Sequence, residues 1–275
     1  MTTRGRVVVS PTKLDTWQDC RMRYRLQYVE KRRVEGSWAH LSLGNAVHSA
    51  LRDWFDLADD ERTPAAAGAL VGQHWSSLGF RDDDQSAQWR QRASVMVERY
   101  CQQHPAVVPF GRERALAALG ENVAVNGRID RLDESTDPAH AGELVVIDYK
   151  TGRRVPTDDD ARVSRALAVY AVIAQRSLRR PAFEVQLHHV PSGVVATHRH
   201  TPESLDRQFA RVESIGRDIA AAEASGRDED FPPSPGPLCA WCDFRQWCPS
   251  SASTSPADRW SALPITADVA DSFPV

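Results

Sequence analysis

The chain has 275 residues, of which 41% are hydrophobic and 26% are charged, and its formal net charge is −3. This is the composition of an ordinary globular protein, and a net charge so close to zero does not by itself indicate a nucleic-acid partner. No stretch approaches the roughly 18–20 apolar residues of a membrane-spanning helix, and the first residues lack the apolar run of a signal peptide. We therefore expect a cytoplasmic protein that does not use a membrane as a partner.

The first hundred residues are predicted to be helical. Ser10-Pro11 supplies an N-cap and a first-turn proline for a helix that we expect to reach about Val29. Apolar residues at helical spacing predict a second helix from Leu43 to Leu57. Residues 58–110 are predicted to form a variable helical insertion, with breaks at Pro64, 82–84 and Pro105.

From residue 110 the hydrophobic period changes to that of strands, with helices between them. The predicted strands are 112–119, 122–132, 143–150, 183–190 and 194–198, and the predicted helices are 157–177 and 202–224. We expect a single domain over residues 1–250. Residues 251–275 are rich in Ser, Ala, Pro and Thr, which predicts a flexible tail.

The segment from Arg21 to Arg33 carries six basic residues against one acidic residue, and Tyr24 and Tyr28 lie among them. Basic side chains neutralise phosphates and aromatic rings offer stacking surfaces, so the segment is a candidate DNA-facing element. A solvated helix face explains the same charges equally well.

The most informative short stretch is Val145-Val146-Ile147-Asp148-Tyr149-Lys150-Thr151-Gly152. Side chains alternate along a strand, so Asp148 and Lys150 are expected on one face. Two charges stand there where core residues would be expected. Burying them is costly unless they pair, bind a metal or take part in chemistry.

A second mid-strand aspartate, Asp130, lies in the preceding predicted strand. Two neighbouring strands that project Asp130 and Asp148 toward one point would form a site for a hard cation such as Mg²⁺. Lys150 would then orient or deprotonate a water, or stabilise charge developing on a phosphate. His48 could complete the metal shell. Taken singly, each of these residues also has a structural explanation, as do Glu113 and Tyr170.

Three motifs occur in a familiar order: Gly44-x-x-x-His48, Gly127-Arg-Ile-Asp130 and Ile147-Asp148-Tyr-Lys150-Thr-Gly. They resemble the motifs of the RecB branch of the PD-(D/E)XK nucleases. The resemblance implies an α/β fold, with a mixed central sheet flanked by helices in a restriction-endonuclease-like core. It also implies a Mg²⁺ or Mn²⁺ site at His48, Asp130 and Asp148, and catalytic roles for Asp130, Asp148, Lys150 and Tyr170.

Tyr170 corresponds to the tyrosine of a Gln-x-x-x-Tyr motif that this branch usually carries, but the glutamine is replaced by Ala166. We considered three neighbouring polar residues as substitutes for it: Arg162, Ser164 and Arg165. The departure leaves two hypotheses open. The first is an exonuclease that hydrolyses single-stranded DNA or DNA ends in DNA repair or recombination. The second is a catalytically weak or inactive DNA-binding scaffold.

The chain contains no G-x-x-x-x-G-K-[ST] phosphate-binding loop, so we expect no helicase activity from it. Either it acts alone, or an ATP-driven helicase or another repair protein delivers the DNA strand.

Four of the five cysteines form a one-plus-three pattern: Cys20, then Cys239, Cys242 and Cys248. In a reducing compartment such a set indicates metal ligands rather than disulfides, and four thiolates suit either zinc or an iron–sulfur cluster. The pattern resembles that of nucleases with an iron staple, namely the AddB C-terminal domain and the CRISPR-associated adaptation nucleases. That resemblance implies a 4Fe–4S cluster joining the N- and C-terminal segments. Cys101 falls outside the pattern and is predicted to be a buried thiol.

Four histidines on and beside the predicted hairpin could suggest a second metal site: 188, 189, 198 and 200. Since His188 and His189 are adjacent on a strand, they face opposite sides. We therefore interpret the four as surface or packing residues.

Overall fold

Apart from one short strand, the elements of the first hundred residues are helices, and strands alternate with helices after residue 110, as the hydrophobic periods predict. The structure is a computed structural model that describes residues 6–104, 108–251, 254–261 and 263. Its strands are β1 (Val7–Val9), β2 (Gly111–Leu119), β3 (Val123–Glu134), β4 (Leu144–Lys150), β5 (Glu184–His189) and β6 (Val194–Arg199). Its α-helices are α1 (Pro11–Asp19), α2 (Arg21–Tyr24), α3 (Ala39–Trp54), α4 (Pro64–Gln73), α5 (Asp83–Gln103), α6 (Asp158–Val163), α7 (Arg165–Leu178) and α8 (Pro202–Ser225).

The strands form one six-stranded mixed sheet, which confirms the predicted α/β architecture. Strand β3 lies at its centre, antiparallel to β2 on one edge. On its other edge β3 pairs first with β1, in parallel, and then with β4, antiparallel. Strand β5 is parallel to β4 and forms a hairpin with β6. In the chain, helices lie between the two strands of each parallel pair, and helices cover both faces of the sheet.

Two hydrophobic cores lie on opposite faces of this sheet. The first packs α1, α7 and α8 against residues such as Val125, Ile129 and Val146. The second packs α3, α4 and α5 against Val145 and Ile147. The region predicted as a helical insertion, 58–110, thus contributes α4 and α5 to a layer of the domain. Alternate residues of β4 enter different cores because side chains alternate along a strand.

The first predicted helix is interrupted at Cys20, which has extended backbone dihedral angles. The Cys20 backbone N–H still donates to Thr16 at the end of α1, and its sulfur accepts the Arg23 N–H at 3.4 Å, as an N-cap of α2. A π-helical turn, Arg25–Val29, follows. Because of this break, the Cys20 side chain does not follow the helical spacing of its neighbours. Helical spacing alone could not predict that departure.

Part of the segment predicted as a tail packs against the domain. Leu263 is 4% exposed in the second core, and its carbonyl accepts a 2.7 Å hydrogen bond from Arg153 Nε. The Ala257 N–H donates to the Ala240 carbonyl at 2.9 Å, and the Arg259 carbonyl accepts from Ala39 at 3.1 Å. Residues 264–275 of the predicted tail lie outside the described residues.

A buried ion pair between two residues of β3 lies beside the second core. Arg131 donates two hydrogen bonds to Asp133, with Nε at 2.7 Å from one oxygen and Nη2 at 2.5 Å from the other. The two side chains are only 7% and 13% exposed. The guanidinium also lies 4.7 Å from the centre of the Phe55 ring. The pair therefore holds two charges away from water, each compensating the other.

We expect Asp133→Ala to lower the free energy of unfolding by about 3–5 kcal/mol, because it leaves the buried Arg131 charge unpaired. Urea titration followed by circular dichroism measures the change. The double variant Arg131→Met/Asp133→Leu serves as the control and should recover most of the loss. Equal stability of the single variant and the wild type would contradict a role for this pair.

Within the described ranges, no helix combines the length and the apolar character that crossing a bilayer requires.

Candidate active site and metal centre

Asp130 lies where the strands of the sheet separate. Strand β1 pairs with β3 only at Val123–Val125, and the ladder between β3 and β4 begins at the Arg131–Ile147 pair. Residues 126–130 therefore have no strand partner on this edge. The Asp130 carboxylate fills the gap by accepting the Tyr149 N–H at 2.9 Å. The Asp130 carboxylate thus links β3 to β4 and faces the opening between the separated strands.

Asp148 and Lys150 emerge together on the face of β4 opposite the second core, as alternation predicts. Lys150 Nζ lies 2.5 Å from Asp148 Oδ2, and the Asp148 residue is 9% exposed. Burial raises the pKa of the Asp148 carboxyl, which the Lys150 charge partly offsets. Burial alone would lower the pKa of Lys150, but the Asp148 carboxylate outweighs it and the net shift is upward. Lys150 is therefore a cation at neutral pH.

His48 reaches the same opening from α3, which packs its apolar stripe into the second core. The His48 Nδ1 atom lies 3.4 Å from Asp130 Oδ2 and 4.0 Å from Glu113 Oε1. One turn earlier, a Cβ added to Gly44 would lie 3.5 Å from Thr151 Oγ1. Helix α3 therefore lies within ordinary contact distance of the end of β4, which brings His48 within reach of the carboxylates.

Glu113, which the sequence alone does not single out, is brought next to Asp130 by the pairing of β2 with β3. The register pairs Arg112 with Arg131 and Arg114 with Ile129, so Glu113 lies opposite Asp130. Two carboxylates placed opposite each other across strands repel. Glu113 also has φ = 42°, in the left-handed region that a residue other than glycine rarely adopts. Strain and repulsion at one residue are typical of a functional position.

The ligand atoms of His48, Glu113 and Asp130 all lie within 4.8 Å of one another, and among the described residues this is the one such group. Asp148, predicted to be a ligand, is turned to Lys150 and lies outside it. Burial raises the pKa of Glu113, and the Asp130 charge raises it further. Burial disfavours the His48 cation, yet its hydrogen bond to Asp130 and the three nearby carboxylates give a net upward pKa. The cluster thus carries negative charge that a cation would neutralise.

Tyr170 of α7 packs its ring against β3 near this cluster. A Cβ on Gly127 would lie 2.6 Å from Tyr170 Cε1, so only a glycine lets the ring lie against β3. Burial raises the pKa of the Tyr170 hydroxyl, and the charges of Asp148 and Asp130 raise it further. Tyr170 therefore stays protonated and can donate a hydrogen bond.

The residues considered as substitutes for the missing glutamine at Ala166 have other partners. Arg162 pairs with Asp159, the Ser164 hydroxyl caps α7, and Arg165 lies 2.5 Å from Asp15 of α1. Of the three, Arg165 is the one paired with a residue, Asp15, whose charge acts on Lys150. Arg165 is therefore linked to the site through Asp15.

The cluster opens into a cavity of about 640 Å³ that is accessible from the surface. Residues of α3 line one wall, among them His40, Leu41 and Arg52, and residues 149–152 line the other. Arg128 Nη1 lies 3.6 Å from Glu113 Oε2 at the rim, and its side chain is 67% exposed. The cavity therefore combines an acidic floor with a cationic rim, which suits a phosphodiester bound next to a metal ion.

All four cysteines of the one-plus-three pattern line one cavity of about 140 Å³, together with apolar residues such as Met22 and Leu26. The Gly236 N–H donates to Cys239 Sγ at 3.4 Å, as the Arg23 N–H does to Cys20. Burial raises the pKa of the Cys242 thiol, and Cys20 and Cys248 raise it further. The fold thus brings Cys20 next to thiols more than 200 residues away.

The chemistry of this donor set suits a metal group. Four thiolates beside apolar side chains fit either a tetrahedral zinc ion or an iron–sulfur cluster, and N–H donors to the sulfurs occur in both kinds of site. Cys101 lies in the second core, 2% exposed, as predicted.

Burial decides the interpretation of the histidines and of the basic segment. Three of the four histidines on and beside the hairpin are buried and hydrogen-bonded, as expected for packing residues: 188, 189 and 200. In the basic segment, Tyr24 is fully buried and donates to Glu223, so it offers no stacking surface. Residues 31–33 are exposed and keep the basic character at the surface.

Comparisons with known proteins agree with this geometry. The family model of the PD-(D/E)XK nuclease superfamily matches residues 8–249. The crystal structure of a candidate exonuclease from Eubacterium rectale aligns over 87% of this chain and 88% of that chain, with 12% identity and a TM-score of 0.51. A structure of SSO0001 aligns over 89% and 86% with 14% identity, but its TM-score of 0.39 supports no argument. None of the curated proteins matches the chain.

Proposed function

Since the chain belongs to the PD-(D/E)XK nuclease superfamily, we propose that it is a metal-dependent DNA nuclease of the RecB type. The observation that carries this proposal is the convergence of His48, Glu113 and Asp130 beside the Asp148–Lys150 pair, at the floor of an open cavity. Water attacks phosphorus, a P–O ester bond breaks, and a phosphate monoester and a hydroxyl are released. Exonuclease action, on single strands or ends, is the form that we propose.

We assign the metal site to His48, Asp130 and Glu113, with Asp148 as the neighbouring carboxylate that the family motif also provides. Imidazole with carboxylates suits Mn²⁺, and carboxylates suit Mg²⁺. A bound ion would supply Lewis-acid activation of the phosphodiester and of the attacking water. Asp130 has a second role, because it also holds the Tyr149 N–H and so keeps β3 and β4 at the spacing that forms the cavity.

Lys150 acts in this proposal as a fixed cation rather than as a general base. The Asp148 carboxylate at 2.5 Å raises its pKa and keeps it protonated. A protonated ammonium can orient the attacking water and stabilise charge on the phosphate, but it cannot take a proton. Tyr170 and the rim residue Arg128 complete the set, as donors to phosphate oxygens.

At the other end of the molecule we propose a 4Fe–4S cluster held by Cys20, Cys239, Cys242 and Cys248. The cavity that the four thiols share supports it, together with the one-plus-three pattern of the sequence. Its role is structural, since it would join α1 and α2 to the last turns of the domain. DNA is the proposed partner, in repair or recombination in the cytoplasm, and an ATP-driven protein could deliver the strand.

The test compares wild type and Asp148→Ala on end-labelled single- and double-stranded DNA with Mn²⁺, under anaerobic handling. We expect progressive loss of label with wild type, none with the variant, and none with a chelator. Binding of DNA by wild type without any cleavage would instead favour the scaffold hypothesis, which the alanine at position 166 keeps open.

A further prediction concerns Glu113, which belongs to the site only through the tertiary structure. We expect Glu113→Gln to weaken Mn²⁺ binding by about tenfold or more, because it removes one anionic ligand while keeping the side-chain shape. Isothermal titration with Mn²⁺ measures the affinity. Glu121→Gln is the matched control, because Glu121 lies in the turn between β2 and β3, at the end of the hairpin far from Glu113. Unchanged affinity in Glu113→Gln would remove this residue from the site.

A further inference from the structure

A row of aromatic rings leads from the catalytic cavity to the cysteine-bearing turns. The ring centre of His40 lies 6.1 Å from that of Trp38, which lies 5.4 Å from that of Trp241. We call these three residues the aromatic track. His40 and its neighbour Leu41 line the catalytic cavity, whereas Trp241 lies between two of the cysteines. The track therefore lies between the catalytic cavity and the cysteine-bearing turns.

The middle of the track is held rigidly. Trp38 is 6% exposed, and its Nε1 donates to Asp243 at 2.8 Å. The Arg259 guanidinium lies 5.6 Å from the Trp38 ring centre and 3.4 Å from the same Asp243. Trp38 thus supports Trp241, a residue that is itself 38% exposed. An exposed indole on a fixed support loses little conformational freedom when a flat ligand stacks on it.

Basic side chains lie close to the cysteine-bearing turns that carry Trp241. The exposed basic residues Lys31, Arg32 and Arg33 belong to the loop that leads into Trp38. The Arg32 guanidinium lies 5.7 Å from the Trp247 ring of the cysteine-bearing turns, which brings this loop onto them. Aromatic rings interleaved with cations are the usual surface for single-stranded nucleic acid.

We propose that a single strand of DNA leaving the catalytic cavity stacks a base on Trp241, with the buried Trp38 ring as the support beneath it. The inference rests on the proposed nuclease function and assigns a base-stacking position to its single-stranded substrate. A duplex would not use the track, because its bases are already covered by their neighbours. Continuity with a cavity suited to a phosphodiester favours nucleic acid over a protein partner, and the experiment separates the two.

The experiment measures binding of a fluorescent oligonucleotide of about ten nucleotides, with Ca²⁺ in place of the catalytic metal so that no cleavage occurs. We expect Trp241→Ala to weaken single-strand binding by about tenfold, since one stacked base is lost. Trp241→Phe should restore most of it, and duplex binding should not change. Leu78→Ala, which removes another exposed apolar side chain, is the matched control.

Photo-cross-linking gives a second readout that does not depend on a variant. An oligonucleotide carrying 5-iodouracil is irradiated with the wild-type protein, and the linked peptide is identified by mass spectrometry. A cross-link to Trp241 supports the track, even if Trp241→Ala disturbs the neighbouring cysteines. Cross-links confined to other elements, or wild-type single-strand affinity in Trp241→Ala, would overturn it. Binding through Trp241 without cleavage by wild type would refute the nuclease function alone.

Discussion

Replacing Asp130 by asparagine is expected to abolish metal-dependent DNA hydrolysis while leaving the fold intact. The asparagine oxygen can still accept the Tyr149 N–H, so the link between β3 and β4 is retained. The charge that faces His48 at 3.4 Å and opposes Glu113 across the strands is lost. Because a catalytic metal supplies several kcal/mol and each ~1.4 kcal/mol is tenfold in rate, the loss should be at least about a thousandfold.

Initial rates on labelled single-stranded DNA with Mn²⁺ measure this effect, and thermal unfolding checks the fold. Asp137→Asn makes the same chemical change at an exposed turn and should retain wild-type activity. Residual activity within about tenfold of wild type would show that Asp130 is not a principal metal ligand. A large fall in melting temperature would show instead that its charge is needed for the strand junction.

The second large effect is expected at Cys20. In Cys20→Ser the cluster should be lost, so iron content and visible absorbance fall to background. The crosslink that closes a loop of more than 200 residues disappears with it, which a chain-entropy argument values at about 5 kcal/mol. For a domain of this size that corresponds to a fall in melting temperature of roughly 10–20 °C. DNA binding should weaken at the same time, because the proposed cluster would hold the basic loop at 31–33 against the cysteine-bearing turns.

Cys101→Ala is the matched control for this experiment. It removes a buried thiol outside the cysteine cavity and should retain iron and DNA affinity. Retained iron together with normal DNA affinity in Cys20→Ser would refute the structural role of the cluster. Zinc in the purified wild-type protein in place of iron would keep the staple but replace the proposed group.

Local patterns predicted those parts of the site that depend on neighbouring residues in the chain. Alternation along β4 placed Asp148 and Lys150 on one face, and the structure pairs them at 2.5 Å. Helical spacing placed His48 beside the stripe of α3 that packs into the second core. These predictions succeeded because the geometry of a strand or a helix fixes the direction of each side chain from its position alone.

The break at Cys20 and the strand β1 were not predicted, for a common reason. Val7–Val9 is too short to show a period, and it becomes a strand only by pairing with β3. Cys20 leaves the helical path although its neighbours have helical spacing, and its sulfur faces a cavity formed by residues 233–251. In both cases a partner distant in the sequence overrides local preference.

The sequence by itself determined the superfamily, the order of most elements and the residue types of both candidate sites, because motifs and hydrophobic periods are properties of short segments. Only the tertiary structure decided which of those residues meet. The β2–β3 register places Glu113 opposite Asp130, and the separation of β3 from β4 opens the cavity. It also turned Asp148 toward Lys150 rather than toward His48. Contacts between strands and across 80 or more residues depend on register and packing, which no local pattern encodes.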